Sequence, residues 1–215
     1  MIINSYSADV FSRLSGFRDA EKLAEEKNEA IDKLGEVIVR HGMEDIVGIC
    51  LLHKHFDLSN EEKLIRHVLK NKILISPKVH IEAIPYMWTF VEGEIFPVEF
   101  LEESSITSSF KLKVESLYQG SEFLLNFNKK LVELGVDNLF GLSLIPHSLF
   151  SFEENEELIE TEDFTSRELL ISVIKKDELK KIESTKTLWA FSKKKEGLDC
   201  TVHCVVHCMH CAVHC

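Results

Sequence analysis

Apolar positions repeat at helical spacing in two segments of the chain, and each segment leads into a short apolar run. The two helical stripes are Leu23, Ala30, Leu34, Val37 and Ile38, then Phe123, Leu124, Phe127, Leu131 and Leu134. Gly42 and Gly135 follow the stripes and suit left-handed helix C-caps. The runs at 46–52 and 139–145 have strand length, so the pattern predicts a helix followed by a buried central strand in each half.

The segments between these runs are more ambiguous. Ser59 and Glu62 have the spacing of a capping box, which favours a helix over 60–70, although LIRHVL in that segment also fits a strand. The stretches 72–76, 79–84 and 86–91 predict three strands. Pro97 predicts that 94–101 is an edge strand, because proline cannot donate to a strand ladder. The expected fold class is α+β, with one or two helices on a small mixed or antiparallel sheet.

Several segments of the two halves align in the same order. HGMEDIVGICLL at 41–52 matches LGVDNLFGLSLI at 134–145, and ILIS at 73–76 matches LLIS at 169–172. The same alignment, with small insertions, pairs Trp88 with Trp189. The sequence therefore predicts an internal duplication with a first module at 1–104, a second at 105–199 and a Cys/His-rich tail at 200–215.

The amino-acid composition excludes some classes of binding partner. The 215 residues carry 36 acidic and 25 basic side chains, for a formal net charge of −11. A polyanion needs clustered Lys and Arg, so we expect no nucleic-acid partner. The chain has no apolar run near the roughly 18 residues of a membrane span, and its first residues lack a secretory signal pattern, so we expect a cytoplasmic protein.

The tail contains most of the candidate metal ligands. Five of the six cysteines lie in CTVHCVVHCMHCAVHC, and each of its last four cysteines follows a histidine. The candidate ligands are Cys200, His203, Cys204, His207, Cys208, His210, Cys211, His214 and Cys215. Thiolate and imidazole suit Zn²⁺ and Cu(I), so the tail predicts a soft-metal protein for storage, delivery or sensing.

Two geometries fit this tail. On a helix the cysteines and histidines cover one face, and a stripe of cysteines at such intervals resembles the thiol-lined helices of copper-storage proteins. The repeat instead aligns 200–204 with strand residues of the first module, so that 198–204 completes a sheet. Other interpretations are a repeat without a role, a redox-active segment, or a substrate for a protein partner or modifying enzyme that acts on its cysteines.

A second candidate site lies in the first module. His53 and His55 alternate after the first predicted strand and would share a face, with Glu99 as a third candidate. These residues predict an alternative function as an enzyme with a histidine site between the modules. Cys50 lies within the apolar run and is expected to be a core residue.

The stretch CLLHKHFDL at 50–58 resembles a motif of uncharacterised fungal proteins, in which a strand ends in an LLH-x-HF-type segment. MWTFVEGEIFPVEF at 87–100 resembles the same proteins, whose Trp-containing strand precedes a Pro-x-Glu-Phe-type segment. The resemblance covers about half of one module and implies no activity.

Overall fold

The computed structural model describes residues 3–146, 149, 153–191 and 198–205; for Ser109 and 198–205 it describes the backbone alone. Its helices are α1 Ala8–Ser12, α2 Phe17–Glu26, α3 Glu29–Arg40, α4 Ser108–Gln119, α5 Ser121–Leu134 and α6 Lys176–Leu179. Its strands are β1 Val47–Leu51, β2 Lys63–Leu69, β3 Lys72–Lys78, β4 Ala83–Val91, β5 Glu94–Glu102, β6 Phe140–Leu144, β7 Glu156–Asp163, β8 Glu168–Lys175, β9 Ser184–Phe191 and β10 Leu198–Val205. The α+β class is confirmed.

The ten strands close into one barrel, in the order β1-β6-β4-β5-β2-β3-β8-β7-β10-β9. Most pairs are antiparallel, but β2 runs parallel to β5, and β10 runs parallel to β7. Closure gives every strand of the barrel a neighbour on both sides.

The order of pairing is the same in the two halves of the chain. Exchanging β1–β5 with β6–β10 leaves every neighbour relation of the barrel unchanged, and the two halves meet at four pairs, β1–β6, β4–β6, β1–β9 and β3–β8. Because β1 also pairs with β9, and β6 with β4, the strands of the two halves form one sheet. The duplication event and the module boundary at 104 remain predictions from the sequence.

Two hydrophobic clusters lie on opposite faces of this sheet. Helices α2 to α5 cover the outer face, where Leu34 and Phe127 pack on Ile49 and Leu142. The barrel interior is filled by apolar residues of opposed strands together with Phe11 of α1; these strand residues are Cys50, Leu52, Leu64, Ile73, Ile75, Val98, Leu158, Leu169, Ile171 and Leu188. Both β1 and β6 are fully buried, as the two apolar runs predict; β1 contributes to both clusters, whereas the apolar residues of β6 belong to the outer one.

The two predicted helix caps are confirmed, whereas the prediction that Leu23 belongs to the first helical stripe is wrong. Gly42 and Gly135 have φ of 66° and 65°, in the left-handed region. Leu23 is 41% exposed, because the helix breaks between Glu26 and Glu29 and the spacing from Leu23 to Ala30 does not continue on one helix.

Of the two alternatives for 60–70, the strand is confirmed over 63–69, although Ser59 N–H still donates to Glu62 Oε2 at 2.8 Å. Two other strand predictions need correction. Strand β4 replaces the two strands expected over 79–91. Strand β5 is not an edge strand, because β2 pairs with its residues 99–101 and Pro97 lies beyond that contact.

The beginning of the tail belongs to the barrel. Strand β10 contains Cys200, His203 and Cys204 and pairs with β9 and β7, as the repeat predicts for 198–204. The other candidate ligands lie outside the described residues, as does the helix expected there; they are His207, Cys208, His210, Cys211, His214 and Cys215.

Two glycines permit close strand crossings at equivalent places. A Cβ on Gly48 would lie 2.4 Å from the carbonyl oxygen of Trp189, and one on Gly141 would lie 2.2 Å from that of Trp88. Such a separation is far below van der Waals contact, and the obstacle is backbone, which cannot rotate away as a side chain can.

We therefore expect Gly48→Ala and Gly141→Ala each to lower the free energy of unfolding by about 1–3 kcal/mol, measured by urea denaturation. Gly16→Ala is the control, because a Cβ on Gly16 has no atom within 4 Å. A loss at Gly48 or Gly141 no larger than that at Gly16 would contradict the close crossing.

Candidate functional site

The two candidate histidines lie together where β1 ends. His53 and His55 follow Leu51 on the connection to β2, and their ring centroids are 4.7 Å apart. The Nε2 atoms of the two rings are separated by 3.0 Å. The predicted common face of these two residues is confirmed.

Two carboxylates from the other half of the chain complete this cluster. Glu160 and Glu162 alternate on β7 and therefore share a face of that strand. His55 Nε2 lies 3.2 Å from Glu160 Oε1, and His55 Nδ1 lies 2.7 Å from Glu162 Oε2. All four side chains of the cluster are partly or largely buried, and an oxygen of Glu160 and a ring nitrogen of each histidine lie within 4.8 Å of one another.

Hydrogen bonding fixes which ring nitrogen of each histidine carries a proton. His53 Nδ1 lies 2.9 Å from the carbonyl oxygen of Leu51, which only accepts, so this nitrogen donates its N–H. His55 Nδ1 donates in the same way to the carboxylate of Glu162. Each neutral ring then presents a lone pair at Nε2.

Three electron-pair donors therefore converge on one point. They are the Nε2 atoms of His53 and His55 and Oε1 of Glu160, none of which has a proton in the neutral-imidazole, ionised-carboxylate state. Such a group requires a shared cation between its members: either one proton on His55 Nε2 or a metal ion.

The protonation states follow from burial and from neighbouring charge. Burial, together with the charge of His55, lowers the pKa of His53 to about 4, so this imidazole is neutral at neutral pH. Burial raises the pKa of Glu160, but the hydrogen bond from His55 and the charges of His55, His53 and Arg66 outweigh it and lower the pKa to about 2. Glu160 is thus ionised and His53 unprotonated without any ligand.

Neighbouring contacts restrain the two imidazole rings. Phe17 of α2 stacks on His55 with centroids 5.8 Å apart, and its ring meets His53 edge-on. The loop between His55 and β2 contacts the β7–β8 turn through Arg167, whose two Nη atoms each lie 3.0 Å from an oxygen of Glu62. The rings are therefore restrained from both halves of the barrel.

A small cavity of about 40 Å³ adjoins the cluster inside the barrel. Its polar lining includes both histidines, Glu160, and the ion pair between Arg66 and Glu99. Nε and Nη2 of Arg66 lie 2.6 and 2.5 Å from Oε2 of Glu99, and the guanidinium lies over the ring of Tyr86 at 4.4 Å. Burial raises the pKa of Glu99, against the opposing charge of Arg66.

The predicted third residue of this site is thus only partly in the expected place. Glu99 lines the same cavity as His53 and His55, but it accepts hydrogen bonds from Arg66, and Glu160 occupies the position beside the imidazoles. Sequence reasoning missed Glu160 and Glu162. The repeat did offer a signal for Glu160, because it aligns this residue with Arg66, and in both halves a charged residue follows a buried Leu-Ile pair. Cys50 is fully buried, and burial raises the pKa of its thiol, which confirms a core residue.

Comparison of the chain with protein-family models, with curated proteins and with solved structures gives no match. Among the described residues there is no helix of the length and apolar character that crossing a bilayer requires.

The two pKa shifts predict that acid destabilises the fold. The pKa of His53 is about 4 in the fold against 6.5 for a free imidazole, so the unfolded chain binds more protons as the pH falls from 6.5 towards 4. The pKa of Glu160 is about 2 in the fold against 4.5 for a free carboxyl, so this group lowers the stability of the fold further as the pH falls from 4.5 towards 2. The free energy of unfolding from urea titrations should therefore decrease from about pH 7 to 4.5.

His53→Gln removes the titrating imidazole and should show a smaller decrease over the same pH range. Equal slopes for the two proteins would mean that His53 titrates normally in the fold.

Proposed function

We propose that the protein binds a borderline divalent metal ion, of which Zn²⁺ is the first choice, at His53, His55 and Glu160. We refer to these three residues as the barrel metal site. The observation that carries the proposal is the convergence of three electron-pair donors with only one proton to share between them. Two imidazoles and one carboxylate form a donor set that suits Zn²⁺ and related ions better than the thiol-preferring Cu(I).

The separations between donor atoms support the same conclusion. Ligands of Zn²⁺ lie about 2.0–2.1 Å from the ion, so two of them at angles of about 90–110° are roughly 2.9–3.4 Å apart. The Nε2–Nε2 distance of 3.0 Å and the Nε2–Oε1 distance of 3.2 Å fall in this range. Two of the three donor separations therefore already suit a metal ion.

The hydrogen bonds outside the three donors also suit a metal centre. Ligating histidines normally donate their second N–H to a carboxylate or a backbone carbonyl, which fixes the tautomer and the ring orientation. His55 has Glu162 for this purpose, and His53 has the carbonyl of Leu51. Both rings are thus prepared to offer Nε2.

Metal titration of the variants tests the site. With Co²⁺ as a spectroscopic probe and Zn²⁺ as competitor, we expect His53→Ala, His55→Ala and Glu160→Gln each to weaken binding more than about 100-fold. Glu162→Gln, which alters only the orienting bond, should weaken it about 10–100-fold. His67→Ala is the matched control, since His67 lies on β2 and pairs with Glu102 at the surface.

Calorimetry in buffers of different ionisation enthalpy provides a second readout. Binding at neutral pH should release about one proton, the one that the metal replaces at His55. Co²⁺ affinity that is unchanged in all three donor variants would refute the barrel metal site.

The tail supports a second proposal, soft-metal binding for storage, delivery or sensing. The specific observation is that β10 places the first tail residues on the barrel, with Cys204 in register with Glu160 of the metal site. Zn²⁺ or Cu(I) bound through Cys204 would then be held on the strand next to the one that carries Glu160.

Full-length protein with Cys208→Ser, Cys211→Ser and Cys215→Ser tests this proposal without removing β10. Elemental analysis should show fewer bound Zn²⁺ or Cu(I) ions than in the unchanged protein, and thiolate charge-transfer absorption should weaken. Cys50→Ser is the control, because Cys50 lies in the barrel core. Equal metal content in the triple variant would exclude the tail as a store.

The enzyme interpretation shares the same cavity. Three protein ligands leave at least one coordination position for water or substrate, which is the arrangement of catalytic zinc centres. His53 and His55 would hold the ion in this proposal, and Glu99 would lie beside the bound molecule.

A further inference from the structure

Arg66 is the one buried guanidinium that lines the cavity next to the barrel metal site. It is 5% exposed and lies on β2, between Tyr86 and the carboxylate of Glu99. A buried arginine in a metal site has no obvious structural role there, because an apolar side chain would fill the barrel at a lower desolvation cost. Its arrangement indicates what the cavity binds.

The protein occupies only one edge of this guanidinium. Both bonds of Arg66 to Glu99 use the Nε and Nη2 atoms, and both end on the same oxygen, Oε2. Nη1 has no hydrogen-bond partner in the part of the chain that the structure describes. Because an arginine carries five N–H donors in a rigid plane, a second edge remains for a ligand.

The ion pair and the ring contact hold that edge in place. Glu99 fixes the guanidinium in its plane, and Tyr86 covers one of its faces at 4.4 Å. The hydroxyl-bearing side chains of Tyr86, Ser143 and Thr187 also line the cavity. These hydroxyl groups and the Arg66–Glu99 pair make part of the cavity lining polar, and apolar core residues form the rest of it.

The size of the cavity limits the ligand. A water needs about 10–15 Å³ of such space, so a cavity of about 40 Å³ accommodates roughly three waters or a ligand of three to four non-hydrogen atoms. Formate, bicarbonate and acetate are of this size, whereas an aromatic acid is too large.

We propose that the cavity binds a small planar carboxylate or bicarbonate ion, with one oxygen on the metal and another on the free edge of Arg66. This inference rests on the proposed barrel metal site, which supplies the first contact. A divalent ion attracts an anionic oxygen at its open position, and a guanidinium edge matches the flat, paired oxygens of a carboxylate. Neither contact alone selects for small size; the volume of about 40 Å³ limits the anion that can make both contacts at once.

Anion titration of the Co²⁺-loaded, full-length protein tests the inference. Formate, acetate and bicarbonate should each produce a saturable change in the visible Co²⁺ spectrum, whereas benzoate should produce none. Arg66→Lys keeps the positive charge but loses the planar fork, and it should weaken formate binding about tenfold or more while retaining Co²⁺. Arg40→Lys is the control, because Arg40 is exposed in the last turn of α3.

The outcomes separate the two proposals. Failure of Co²⁺ to bind the unchanged protein would refute the barrel metal site. Co²⁺ binding with a spectrum that none of the small anions changes would refute the anion subsite alone. Equal binding of benzoate and formate would also refute it, because the anion would then reach the metal outside the cavity. If Arg66→Lys fails to fold, this size series on the unchanged protein decides the matter.

Discussion

The close approach of backbones at two strand crossings determines the rest of this structure. Gly48 lies against the carbonyl of Trp189, and Gly141 lies against that of Trp88, at equivalent places in the two halves. These contacts let β1 and β6 each pair on both sides, which joins the halves into one closed barrel. Closure in turn creates an interior with its own apolar cluster, separate from the one under the helices. A barrel without these crossings would have no enclosed place for a polar site.

The candidate site uses that enclosure to hold charges that water would otherwise stabilise. Two imidazoles come from the connection after β1, and the carboxylate beside His55 comes from β7, more than a hundred residues later. Burial keeps His53 neutral, while the cationic neighbours keep Glu160 ionised. The same environment that would make an isolated carboxylate costly therefore favours a cation at the point where the three side chains meet. The Arg66–Glu99 pair extends this polar interior away from the histidine cluster.

Local sequence patterns account for some of these features and not for others. Helical periodicity identifies α3 and α5, and a glycine after each stripe identifies their left-handed ends, because these features depend on neighbouring residues. The alternation of His53 and His55 identifies half of the site for the same reason. The same reasoning does not identify Glu160, because EELIETED has the composition of a solvated acidic strand. Only the closure of the barrel buries one face of this strand. Pro97 misleads for a related reason, since the partner strand covers just part of β5.

The position of β10 in the chain has a consequence for the newly made protein. This strand fills the gap between β7 and β9, which both precede it. During synthesis the nascent barrel therefore exposes two strand edges, and the carboxylates of β7 with them, until residues 198–205 have left the ribosome. A pause in translation shortly before that point would prolong the interval in which those edges can pair with another chain.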